Sequence, residues 1–120
     1  MSTTQTILST TVYGEASGNY DGSSQDWASD AVKAADYYRG YGGVQTVAYR
    51  LVGFVGILHV EGTLSSVAAD ANWFNIFSVG DPAFPLTDYR SDPTVGNFTW
   101  MRVRVEFFDA GTIDFVKTTY

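Results

Sequence analysis

Between Trp100 and Phe107 the chain alternates without a break, WMRVRVEF. Met101, Val103, Val105 and Phe107 take every second place, and Trp100, Arg102, Arg104 and Glu106 take the places between. Successive side chains of a β-strand point to opposite faces, so the pattern predicts a strand with one apolar face turned to a core and one polar face turned away from it. The DAGT that follows reads as a three-residue hairpin loop with Gly111 in a left-handed conformation. In the register this predicts, Phe107 faces Ile113 and Val105 faces Phe115; a slip of one residue would set Glu106 against Phe115.

A second long run, residues 44–65, VQTVAYRLVGFVGILHVEGTLS, is rich in β-branched residues and contains Gly53, Gly56 and Gly62, a composition that disfavours helix. It reads as two strands meeting near Gly53. In the second, Phe54, Leu58, Val60 and Leu64 share a face, and Val55 and Ile57 make the other face apolar until His59, Glu61 and Thr63 take over. Such a strand belongs at the centre of a sheet. NWFNIF at 72–77 and residues 6–12 read as further strands by their aromatic and β-branched content, which brings the expected number to at least six.

One stretch admits a helix. In SSQDWASDAVKAADYY, Ser23 is placed to cap with Asp26 three residues on, and Trp27, Ala31, Ala35 and Tyr38 are spaced for one face. Residues 79–97 carry all three prolines with several glycines and aspartates and read as a long loop. With no repeat or linker dividing the 120 residues, the expectation is one domain, residues 1–120, all-β, built as a two-sheet antiparallel sandwich of jelly-roll type.

Composition narrows what such a domain does. A net charge of −6 supplies no basic surplus to displace counterions, so nucleic acid is not an expected partner. The absence of cysteine removes disulfides and thiolate metal sites. The first residues have neither a basic segment nor a long apolar run, which predicts no secretory signal and no membrane partner.

Catalytic chemistry has little to start from. His59 is the one histidine, placed mid-strand with no G-x-S-x-G elbow in the chain, and reads as a solvent-facing or interface residue. Ser17, Asn19, Asp21 and Gly22 fall at the first offsets of a calcium loop, but Ala28 stands where the bidentate glutamate belongs, so a turn is expected and no metal. Asp88, Asp92 and Asp109 sit beside turn residues and read as capping groups. No cofactor motif is present. The residues that point to recognition are Tyr37, Tyr38, Arg39 and Tyr41 in DYYRGYGG, whose rings either cover an end of the core or contact a partner. The stripe of Trp100, Arg102, Arg104 and Glu106 is either a solubilising face with arginine stacked on tryptophan or a docking face for another protein.

DYYRGYGGVQTVAY, GFVGILHVEGTLSS, NWFNI and GNFTWMRVRVEFFDAGTI together resemble small virion structural proteins of T4-like marine phages, cyanophages especially. Those proteins look like G-Y-Y-G followed by H-T-V, then G-F-x-G with a G-T-L strand, D-W-F, G-N-F-x-W-x-R and a closing G-T-I hairpin. The likeness runs in order over about two thirds of the chain; Gln45 stands where the pattern has histidine, and Arg39 interrupts its Tyr-Tyr-Gly step. It implies an extended segment before Tyr37 and a non-enzymatic protein, made in the host cytoplasm and built into the virion as a head decoration or a tail, neck or baseplate component. The implied partners are other virion proteins and further copies of itself. The alternative is a carbohydrate-binding module or host-surface adhesin in which Tyr37, Tyr38, Tyr41 and Trp73 stack on a glycan.

Overall fold

In the computed structural model, which describes residues 4–34, 43–64, 72–96 and 98–120, the chain is all-β and antiparallel, with no helix among the described residues. The strands are β1 (Thr4–Leu8), β2 (Thr11–Val12), β3 (Trp27–Ala28), β4 (Val32–Lys33), β5 (Gly43–Thr63), β6 (Phe74–Val79), β7 (Leu86–Gly96) and β8 (Trp100–Thr119). They form one eight-stranded sheet organised by its two long members. β5 and β8 pair with each other from Thr46↔Thr119 to Thr63↔Trp100. On its other side β8 carries β1 and β2 along its C-terminal half and β3 and β4 along its N-terminal half. On its other side β5 carries β7 along its N-terminal half and β6 along its C-terminal half.

Neither long strand is straight. A 20-residue strand would span about 63 Å at about 3.3 Å per residue, yet the longest extent of the molecule is 39 Å. The hydroxyl of Tyr120, at one end of β8, donates to the carbonyl of Lys33 at 3.0 Å, and Lys33 pairs with Trp100 at the other end. The sheet therefore doubles back. The bend is made where the β5–β8 register shifts, at Gly53 and Gly56 on β5 and between Phe107 and Gly111 on β8, all four in left-handed φ. Bulges of this kind bend a strand and increase its twist.

The hairpin expected at DAGT is therefore absent. Gly111 does have a positive φ of 91°, but it serves a corner between two long strands: a Cβ there would stand 2.2 Å from the Gly53 carbonyl oxygen. Val105 is paired with Leu58 and Trp27, and Ile113 with Leu51 and Thr11, in place of the hairpin partners. The local signal was a glycine among turn-forming residues; the close approach of a distant strand is invisible to it.

The apolar alternation holds up to the bulge. Met101, Val103 and Val105 are fully buried together with Leu58, Val60 and Phe54 of β5. At Phe107 the positive φ of 54° interrupts the alternation, so this ring turns outward at 47% exposure while Phe108 enters the core between Tyr20, Trp27 and Phe54. Leu64, expected on the core face, is exposed.

Two further expectations are corrected. The helix of residues 23–38 does not form in its described part; Trp27–Ala28 and Val32–Lys33 lie extended along β8. Hydrogen bonds to β8 outweigh helix propensity here: Ser29 exchanges two bonds with Val103, and Asp26 and Gln25 accept from the amides of Phe107 and Phe108. Residues 86–96, expected as loop, form the 11-residue strand β7. Pro93, Asp88, Arg90 and Asp92 suit this place because β7 pairs with β5 alone among the described residues, and proline and charge are tolerated on edge strands.

Candidate functional site

The polar stripe of β8 faces a matching stripe on β5. Arg102 lies opposite Glu61, Arg104 opposite His59 and Trp100 opposite Thr63. Glu61, whose side chain is 7% exposed, accepts from Arg102 Nε through Oε1 at 2.8 Å and from Arg104 Nε through Oε2 at 3.0 Å. A carboxylate this far from water is stable as an ion only with partners of opposite charge, and two guanidinium groups provide them. Arg104 also reaches Glu106 through Nη1 at 3.0 Å, and the Glu61 hydrogen bond above all raises the Arg104 pKa. Arg102 in addition lies over the Trp73 ring, 4.5 Å from its centre.

The network continues to β6. His59 Nε2 is 2.5 Å from Glu106 Oε1, and its Nδ1 is 2.6 Å from the Ser78 hydroxyl, which also accepts from Asn75 Nδ2 at 2.8 Å. A proton on Nε2 satisfies every member: Asn75 donates to Ser78, Ser78 to His59 and His59 to Glu106. The hydrogen bond from His59 is the main cause of a lowered Glu106 pKa, with Arg104 adding to it. Serine, imidazole and carboxylate in succession are also the parts of an acyl-transfer site. Here the ring nitrogens are reversed relative to that template, the serine oxygen already receives an amide hydrogen, and the carboxylate is shared with an arginine. The wiring suits a cross-strand strut that ties β6, β5 and β8 together on one face.

Of the residues singled out from sequence, Trp100, Arg102 and Arg104 share this face of β8, half-buried. Arginine does stack on tryptophan, but the ring under Arg102 is Trp73, brought by the segment leading into β6. Tyr37, Tyr38, Arg39 and Tyr41 lie outside the described residues. His59 is a bonded member of the network, its side chain 13% exposed, and not a solvent-facing residue. Sequence reasoning did not single out Glu61, the hub; its one signal was its polar place between His59 and Thr63. The calcium-like loop is a turn in which Asp21 caps the amides of Ser23 and Ser24, and those two bonds hold its carboxyl at about 2. Among the described residues no group of three His, Asp or Glu side chains is placed to hold a metal.

A second feature lies on the opposite flank of β5, where β6 and β7 leave it. Between them runs a groove of about 660 Å³. Tyr49 and Phe77, with ring centres 6.3 Å apart, and Leu86 make its apolar part; Asp88, Arg90 and Asp92 make its charged wall. The hydroxyl of Tyr49 meets Asp88 at 3.4 Å, and burial first, then the Asp88 charge, raises its pKa. Asp88 and Asp92 are four residues apart on one strand, about 13 Å in backbone, too far to act as a glycosidase pair. No protein-family model, curated protein or solved structure matches the chain.

Proposed function

We propose that the chain is a non-enzymatic structural component of a bacteriophage particle, a two-layer antiparallel sandwich of jelly-roll type that docks on other particle proteins and on copies of itself. The family resemblance supplies the particle. The observation that carries the docking is the fixing of two guanidinium groups side by side on one strand face by the buried Glu61, with Trp73 against the first. Arginine and tryptophan recur at the energetic centres of protein interfaces, and side chains already held in place lose little further freedom on binding. Doubling back of the sheet, with Tyr120 bonded to Lys33, supports the two-layer form.

The same wiring supports a non-enzymatic reading, because Ser78 and His59 are both engaged within the strut. Trp73, offered to a sugar in the adhesin alternative, has the Arg102 guanidinium over its ring.

The test is association with particles. The purified chain is expected to self-associate in light scattering and to co-sediment with assembled virions, and Trp73→Ala with Arg102→Gln is expected to weaken both while leaving the thermal melt cooperative. A protein that stays monomeric at millimolar concentration and is missing from virions by mass spectrometry overturns the reading. Labelling of Ser78 by a fluorophosphonate would overturn its non-enzymatic part.

A further inference from the structure

The groove between β6 and β7 is lined by residues of both strands and by Tyr49 of β5. Four consecutive residues of β6, from Ile76 to Val79, line it. Ile76 lies at the register shift with β5 and packs towards the core with Phe77 and Val79, so the groove runs along the core-facing side of β6. Among the described residues β6 pairs with β5 alone, so its edge away from β5 has no described strand beside it. An extended polypeptide adds to such an edge by main-chain hydrogen bonds, with pockets for alternate side chains.

The opposite wall states what those side chains should be. Leu86, Asp88, Arg90, Asp92 and Thr94 are alternate residues of β7 and share one of its faces. Arg90 Nε is 3.5 Å from Asp88, and one guanidinium against two carboxylates leaves this wall with an excess negative charge. Towards the floor the lining is apolar, with Tyr49 and Phe77. The six residues of β6 offer about 20 Å of edge, room for five or six residues of a partner.

We propose that this groove takes an extended segment of a partner protein, added as a strand to the edge of β6 away from β5, with an apolar side chain over Tyr49 and Phe77 and a lysine or arginine towards Asp92. The proposal rests on the reading of the chain as an assembly component and names a second, separate contact for it. The net charge of −6 favours the approach of a basic segment.

The experiment uses the full chain and capped heptapeptides whose inward-facing positions read Lys-X-Lys, with X valine, leucine or phenylalanine and threonine between. Binding is followed by fluorescence anisotropy and by amide hydrogen exchange. At least one peptide is expected to bind, to slow exchange at β6, and to weaken with added salt. Methylating alternate peptide nitrogens or replacing lysine by glutamate is expected to abolish binding. Asp92→Asn, with an unchanged thermal melt, is expected to weaken it about two- to fivefold, the range for losing one partly exposed charge pair. Absence of binding by every lysine peptide at millimolar concentration, equal binding of the methylated or glutamate peptides, or occupation of the groove by a neutral oligosaccharide overturns the proposal. Particle association is scored separately: virion binding without peptide binding refutes strand addition alone, and peptide binding without virion association refutes the particle reading alone.

Discussion

Glu61 and Arg102 face each other across β5 and β8, joined at 2.8 Å, and the same carboxylate holds Arg104 through its other oxygen. Because Glu61 is buried, its two oxygens have little water to turn to, and the two arginines on the outer face owe their orientation to it. Replacing Glu61 by alanine leaves two like charges on adjacent positions of one strand face without their common partner. The expected cost is about 1–3 kcal/mol, the range for hydrogen bonds to charged groups, reduced from that of a fully buried pair because the arginines are partly exposed. Urea unfolding of Glu61→Ala and Arg102→Ala, singly and together, measures it; coupling between the two near zero would contradict the pairing.

Phe107 and Phe108 distinguish the bulged strand from an unbroken alternation. Phe108 is packed among Tyr20, Trp27 and Phe54, whereas Phe107 faces out. Phe108→Ala is expected to cost about 3–5 kcal/mol, and Phe107→Ala to lie within about 0.5 kcal/mol of the parent. Chemical denaturation of the two variants decides it, and a reversed order would mean that the register continues through Glu106 without a bulge.

Gly111 and Gly53 set the corner. A methyl group at Gly111 would meet the Gly53 carbonyl at 2.2 Å with φ at 91°. Gly111→Ala is therefore expected to cost at least about 2 kcal/mol through strain and overpacking. Gly18, also at positive φ but with open space around it, supplies a control in which only the φ penalty applies. Thermal melts that rank Gly18→Ala as the more damaging change would contradict the close approach.

Acid should weaken the fold through two carboxylates. Asp21 is held at about 2 against an ordinary 3.8 by the amides of Ser23 and Ser24, and Glu106 is lowered by His59 and Arg104. A carboxyl group depressed in the folded state contributes stability above its unfolded pKa, and that contribution fades as pH falls through the folded value. The stability difference between the parent and Asp21→Asn should therefore be constant above about pH 5 and shrink between pH 4 and pH 2. Urea midpoints across that range measure it; a difference that grows on acidification would contradict the turn geometry.

Much of the strand content was legible in the residues. Met101, Val103 and Val105 are buried as their alternation predicts, and the β-branched run around Phe54 to Val60 lies at the centre of the sheet. Misreadings fell where a local pattern had a distant cause. Pro93 and its neighbouring aspartates read as loop, but they occupy an edge strand that the N-terminal half of β5 templates through pairs such as Arg50↔Tyr89. Asp26 and Trp27 read as a helix start, but the first accepts from the amide of Phe107 and the second packs under Phe108. The arginine stripe was visible as a stripe, while its hub, Glu61, and its tryptophan, Trp73, lie 41 and 29 positions before Arg102 in the numbering.

The order of side chains along each strand decides which face is apolar, because two-residue periodicity is a property of the extended backbone itself; in this chain that made the all-β class and the buried faces of β5 and β8 readable from sequence alone. Which strands become neighbours depends on chain segments far apart in sequence satisfying each other's backbone groups, and no local pattern encodes that. Only the folded protein made Gly111 a corner against Gly53, made β7 a strand, and placed Arg102 and Arg104 on one carboxylate.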